Sequence, residues 1–126
     1  MKVPTSLLYT ESHEWVEKTS ETTARIGLTD FAQDQLGDLV FVNLPMVGDE
    51  LDCGESFADV ESVKAVSDIF SPLTGTVSAI NEELMDAPET INKSPYDAWL
   101  VEASDITEFG ELMDATAYGA FCEAEG

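Results

Sequence analysis

Polar and apolar residues alternate from Glu14 to Val16 and again from Thr23 to Leu28, and the stretch from Lys18 to Thr22 between them is polar. A period of two belongs to a half-buried strand, so this region predicts a β-hairpin. Thr29 then offers a helix N-cap, Asp30 suits the first turn, Phe31, Ala32 and Leu36 supply a short apolar face, and Gly37 is a stop signal. Together they predict a helix of about two turns. From Val40 onward the pattern changes to short β-favouring pieces: Val40 to Leu44, Phe57 to Val63, Val66 to Phe70 and Gly75 to Ile80. They are parted by Pro45, Gly48-Asp49, Cys53-Gly54, Ser71-Pro72 and Thr74-Gly75. After a Pro- and Asn-containing loop from Ala87 to Tyr96, Trp99 to Ala103 predicts one more strand. From Asp105 the spacing of Ile106, Phe109, Leu112 and Met113, continued by Ala115, Ala117 and Phe121, predicts a helical tail, with like charges fraying it beyond Cys122.

Two of the pieces echo each other. Val60-Glu61-Ser62-Val63 and Val66-Ser67-Asp68-Ile69 flank the dipeptide Lys64-Ala65. Strands so close must pair antiparallel, which places Lys64 at the tip of a turn. Neither Lys64 nor Ala65 is Gly or Asn, so a type I turn is expected in place of the usual primed hairpin turn. Short strands at this spacing predict a mainly β fold: a small sandwich or flattened barrel of antiparallel strands, with a short helix after the N-terminal hairpin and a C-terminal helix. At 126 residues, one domain spanning 1–126 is expected.

Charge narrows the functions. There are 26 Asp and Glu against 5 Lys and Arg, a formal net charge of −21. The cations Lys2, Lys18, Arg25, Lys64 and Lys93 form no basic stripe. Such a chain repels phosphate backbones and anionic lipid headgroups, so no nucleic-acid or membrane partner is expected, and protein partners should present basic surfaces. Part of the acidity also serves solubility. Cys53 and Cys122 lie far apart, and His13 is the only histidine. No zinc pattern arises, and the thiols read as reduced in a cytoplasmic compartment. The acidic runs lack the spacing of a calcium loop, so no metal is expected. With no apolar signal core and no long apolar run, the sequence reads as a complete cytoplasmic chain.

Lys64 is the residue on which chemistry would centre. An isolated lysine at a rigid hairpin tip is accessible to a modifying enzyme without unfolding. Its amine is mostly protonated and a poor catalyst unless buried, but it accepts acylation by an activated carboxylate. A lone surface lysine is otherwise a solubilising charge. Its flanks change that weighting, because the run from Glu61 to Gly75 (Glu61-Ser62-Val63-Lys64-Ala65-Val66-Ser67-Asp68-Ile69, then Phe70-Ser71-Pro72-Leu73-Thr74-Gly75) resembles the lipoyl-lysine hairpin of the glycine cleavage system H proteins. Further blocks resemble that family in the same order: Tyr9 to Trp15, Gly27 to Gln33, Leu36 to Pro45, Asn92 to Tyr96 with Trp99-Leu100, and Asp114 to Tyr118 as in the bacterial form of its last helix. Two departures stand out. The family's Gly-containing linker is shortened here to Asp97-Ala98, and the strand after Trp99 reads Val101-Glu102-Ala103 without the Lys often found there.

This resemblance implies a lipoyl-domain-like fold and a carrier in place of a catalyst. Lipoate would be amide-linked to Lys64 by a lipoate-attaching enzyme. The arm would take the aminomethyl group of glycine from the glycine decarboxylase (P protein) to the aminomethyltransferase (T protein) and be reoxidised by dihydrolipoamide dehydrogenase (L protein). A rigidly anchored arm raises the effective concentration of its load at successive sites. The load is labile in water, and the family's folded-back arm meets groups that match Ser12, Glu14 and Asp68 here. A carboxylate accepting from an ammonium keeps it protonated and opposes loss of ammonia. The competing reading of Glu14 and Asp68 is that of ordinary surface acids. Other readings of the chain are a lipoyl or biotinyl domain of a larger enzyme, although Val63 and Ala65 replace the Met residues usual beside biotin, and a related carrier that donates lipoyl groups elsewhere. A small cysteine hydrolase built on His13 and one cysteine has no supporting signature.

Overall fold

A computed structural model describes residues 2–125 and arranges them as two antiparallel sheets facing each other. The strands are β1 (Leu8–Tyr9), β2 (Glu14–Lys18), β3 (Ala24–Leu28), β4 (Leu39–Asn43), β5 (Glu50–Leu51), β6 (Ser56–Ser62), β7 (Val66–Phe70), β8 (Leu73–Ile80) and β9 (Val101–Phe109). The helices are α1 (Asp30–Leu36), α2 (Glu83–Asp86), α3 (Thr90–Lys93) and α4 (Ala115–Glu125). One sheet has six strands in the order β1-β2-β3-β9-β8-β5, the other three in the order β4-β6-β7. The mainly β, flattened sandwich predicted from the strand spacing is what forms, open at its edges and with the short helix and C-terminal helix in their expected order. No helix of the described residues is long and apolar enough to cross a membrane.

The main core lies between the sheets and unites Val16, Ile26, Val60, Ile69, Leu73 and Leu100, all essentially without solvent contact. Side chains alternate faces along a strand, so the opposite face of β2 would be expected to be polar. Instead Trp15 is buried as deeply as Val16, in a second cluster with Tyr9, Tyr118 and Cys122 beneath α4. The indole Nε1–H donates to the carbonyl of Pro95 at 3.0 Å. Gly27, opposite Trp15 across the β2–β3 pair, is required there, because a Cβ would come within 2.4 Å of the indole ring.

The predicted N-terminal hairpin forms, with Val16 opposite Ile26. Helix α1 begins as read: Thr29 Oγ1 accepts from the Ala32 amide at 3.1 Å. It ends at Gly37, whose φ of 82° lies in the region that glycine tolerates without strain. Val66 to Phe70 is a strand with the predicted bounds, while β8 starts at Leu73, two residues before the prediction. The two-residue strands β1 and β5 lie below what periodicity detects. The loop from Ala87 to Tyr96 contains the single-turn helix α3. Its shortened exit closes without glycine, since the amides of both Asp97 and Ala98 donate to the carbonyl of Ser94 at 3.0 Å.

One expectation fails outright. The segment from Asp105 is not helical: β9 continues to Phe109, paired with β8 from Val101↔Ile80 to Phe109↔Leu73. The spacing of Ile106, Phe109 and Leu112 mimicked a helical face, but Ile106 and Phe109 lie on β9 and Leu112 just beyond it, and all three pack on the inter-sheet core. Asp105, at φ 51°, distorts that strand locally. The helix starts only at Ala115, where the Asp114 carboxylate accepts from the Ala117 amide at 2.8 Å as an N-cap. Fraying beyond Cys122 is also not observed: α4 runs to Glu125, held by the buried Cys122 and by a 2.7 Å contact between Glu125 Oε2 and His13 Nε2.

Candidate functional site

Lys64 occupies the tip between β6 and β7, as the sequence echo predicted, and is exposed. The connection is Val63-Lys64-Ala65, one residue longer than expected. No residue of it has positive φ, so no primed turn is involved. The strand-end residue Ser62 organises the tip. Its amide donates to the Ala65 carbonyl at 2.8 Å, and its hydroxyl accepts from the amides of Lys64 and Ala65 at 3.1 and 3.2 Å. A serine hydroxyl substituting for backbone acceptors is a local device that fixes a short turn. The Val63 amide donates to the Asp38 carbonyl at 3.1 Å and ties the tip to the end of α1. The Lys64 stem lies over Gly37, where a Cβ would come to 3.2 Å of Cε.

Behind the tip a cavity of about 190 Å³ opens between the sheets and α1. Ser12, Glu14, Leu28, Leu36, Val60 and Asp68 line it. The three residues singled out beside Lys64 thus share one cavity, but they differ in character. Glu14 is 2% exposed, so the reading of it as a surface acid is wrong; Asp68 is exposed on the edge strand β7, opposite Asp59. Ser12 Oγ donates to Glu14 Oε1 at 2.6 Å, and Thr10 Oγ1 donates to the same oxygen at 2.7 Å. Among the described residues no hydrogen bond joins Asp68 to Ser12 or Glu14; it stands at the rim while they form the floor.

Burial pushes the Glu14 carboxyl above its ordinary value. The hydroxyls of Ser12 and Thr10, the Phe70 amide and the neighbouring His13 act in the other direction without outweighing it. No Lys or Arg stands among the groups that influence it. A buried carboxylate with hydrogen bonds but no lysine or arginine beside it favours a cationic guest, because the guest would relieve the cost of burying its charge. The rest of the lining is largely apolar and suits an aliphatic chain.

Sequence reasoning missed Thr10, which both donates to the Glu14 carboxylate and accepts from the Glu14 amide at 3.0 Å. It also missed the wall supplied by Ala32, Gln35 and Leu36 of α1. That wall was detectable, since these positions share a helical face. The role of Thr10 was not, because it depends on His13 adopting a φ of 71°.

Comparison with known proteins bears on this arrangement. A family model described as glycine cleavage H-protein matches residues 7–125. A protein of Lachnoclostridium phytofermentans named glycine cleavage system H protein is 60% identical, the alignment covering 99% of this chain and 98% of that one. A protein of the same name from Acidobacterium capsulatum is 50% identical over 99% and 98% of the two chains. Among solved structures, a crystal structure of a glycine cleavage system H protein from Mycobacterium marinum superposes with a TM-score of 0.87 at 40% identity, covering 94% of this chain and 97% of that one.

Proposed function

Since the chain belongs to the glycine cleavage H-protein family, we propose that it is the lipoyl carrier of that system, with Lys64 as the attachment residue and the cavity of Ser12, Glu14 and Asp68 as the shelter of the load. When bound, the lipoyl group supplies a dithiolane that takes up an aminomethyl group and gives it up again as a dithiol. Everything else falls to the chain's own residues. The Ser62-capped turn presents the Lys64 amine to a lipoate-attaching enzyme. The absence of a side chain at Gly37 leaves a path for the lysine stem from the tip toward α1. The apolar lining excludes water, and Glu14, with Asp68 at the rim, holds a proton on an incoming amine.

The observation that carries this reading is the convergence of Glu14, Ser12 and Asp68 on one cavity behind the Lys64 turn, with Glu14 buried and without a lysine or arginine beside it. On this reading the chain itself is not an enzyme, and its partners are the glycine decarboxylase, the aminomethyltransferase, dihydrolipoamide dehydrogenase and the lipoate-attaching enzyme. With a net charge of −21, the carrier is steered toward basic faces on them. Intact-mass measurement of the natively expressed protein, followed by peptide mapping, tests the assignment. A lipoyl increment on the peptide that contains Lys64 is expected. A biotinyl increment, or a lipoyl increment on Lys2, Lys18 or Lys93, would overturn it.

A further inference from the structure

Two walls of the cavity, the Ser12–Glu14 segment and the face of α1 that carries Ala32, Gln35 and Leu36, belong to elements that one continuous chain of hydrogen bonds joins to α4. Glu125 Oε2 lies 2.7 Å from His13 Nε2. His13 Nδ1 lies 2.7 Å from the Tyr118 hydroxyl, which lies 2.7 Å from Thr29 Oγ1, the N-cap of α1. The Nε2–H form of His13 completes the chain with every donor used once. The Ala32 amide donates to Thr29, Thr29 to Tyr118, Tyr118 to Nδ1, and Nε2–H to Glu125. The tyrosine proton stays in place, since burial pushes the Tyr118 phenol well above its ordinary value. Aromatic packing holds the links in line: Tyr118 stacks on Tyr9 at 4.5 Å, and the imidazole packs on Phe31 of α1 at 4.5 Å.

His13 itself is a lining residue of the cavity and sits between Ser12 and Glu14 in the left-handed region at φ 71°. That conformation closes the three-residue hairpin turn between Thr10 and Glu14, with the His13 amide donating to the Thr10 carbonyl at 3.1 Å and the Thr10 amide to the Glu14 carbonyl at 3.0 Å. Here it turns the chain so that Thr10 and Ser12 reach the same oxygen of Glu14. Resting on the carrier reading above, we propose that His13 and Tyr118 are positioning residues: through the Glu125–His13–Tyr118–Thr29 chain, α4 holds the Glu14 turn and α1 at the spacing that shelters the load. Neither needs to touch the arm. The groups facing Glu14 are the His13 imidazole, the hydroxyls of Thr10 and Ser12, the Phe70 amide and, at the cavity rim, Asp68.

Tyr118→Phe keeps the stack on Tyr9 and removes only the hydroxyl that joins the two walls, while Glu125→Gln loosens the far, half-exposed end of the chain. In the unlipoylated protein, hydrogen exchange by NMR should quicken at the Glu14 amide and at the Ala32 amide, roughly fivefold for one lost hydrogen bond. Both amides should respond to either variant, although they lie on separate walls. The carbon-13 titration of the Glu14 carboxyl in Tyr118→Phe should move down toward the ordinary carboxylate range as water reaches it. In the lipoylated, loaded protein Tyr118→Phe should shorten the lifetime of the load. A role for Tyr118 as packing alone predicts no such change, because the ring remains. Wild-type exchange at both amides in both variants, with an unmoved Glu14 titration, would overturn the proposal even if Glu14→Gln shortens the lifetime. If Glu14→Gln itself leaves the lifetime unchanged, the carrier pocket is misassigned, and the amide exchange still decides whether the chain couples the walls.

Discussion

The tip that carries Lys64 is held mainly by bonds that span two or three residues, from Ser62 to Lys64 and Ala65, with one tie from Val63 to Asp38. The wall that carries Glu14 depends on His13 bonding to Tyr118, 105 residues away, and to Glu125 beyond it. The difference follows from what each must do. An attachment point has to be exposed and rigid, and a short antiparallel turn with a hydroxyl cap achieves this without distant help. A shelter has to bury a carboxylate: its hydroxyl partners Thr10 and Ser12 are local, but the walls that close around it come from several elements at once.

The sharpest way to separate the two regions is Lys64→Arg. The charge is kept, the acylable amine is lost, and an exposed tip residue contributes little to folding. Glycine-dependent reduction of NAD in a system reconstituted from the partner enzymes should disappear, with unfolding free energy within about 0.5 kcal/mol of wild type. Residual glycine-dependent flow would remove Lys64 from the account.

Ser62→Ala probes whether the tip is as locally built as described. It should cost about 1 kcal/mol, the usual worth of a hydroxyl that caps backbone amides. Exchange should quicken at Lys64 and Ala65 while Glu14 and Ala32 remain protected. Loss of protection at Glu14 would mean that the two regions are not independent.

Glu14→Gln probes the buried wall through pH. The folded-state carboxyl lies above its ordinary value of 4.5, so the folded protein holds this proton more tightly than the unfolded chain does. Ionisation of Glu14 therefore costs stability as pH rises from the ordinary value through the raised one, and the cost is constant above it. Gln is neutral throughout, so urea unfolding should show the variant gaining on wild type across that window and then running parallel to it. A difference that stays level across the window would mean that Glu14 is not desolvated.

The same contrast explains what could be read from the sequence. Helix α1, with Thr29 and Gly37 at its ends, and the turn at Lys64 are written in adjacent residues, so pattern and capping chemistry suffice. The β9 strand was misread because Ile106, Phe109 and Leu112 match a helical spacing, and only the pairing with β8 decides between the two. The cue that the helix begins later was present in Asp114, a cap residue just before Ala115. The burial of Glu14 was legible but overlooked, since the period of two places it on the same face of β2 as Val16. The burial of Trp15 was not legible, because the cover that α4 lays over that opposite face comes from the far end of the chain. The left-handed backbone of His13 closes a three-residue hairpin turn, its amide donating to the Thr10 carbonyl at 3.1 Å and the Thr10 amide to the Glu14 carbonyl at 3.0 Å, and no glycine or asparagine at that position announces it.

The central claim, that the cavity shelters what the arm carries, is tested most directly by the lifetime of the load. Wild-type, Glu14→Gln, Asp68→Asn and doubly substituted proteins would be lipoylated and loaded with the glycine decarboxylase. Release of formaldehyde and ammonia would then be followed with the aminomethyltransferase absent. Release should be fastest in the double variant and faster in Glu14→Gln than in Asp68→Asn, because Glu14 forms the buried floor and Asp68 the solvated rim. Release at the wild-type rate in all three variants would contradict the account and leave Lys64 alone as the functional site.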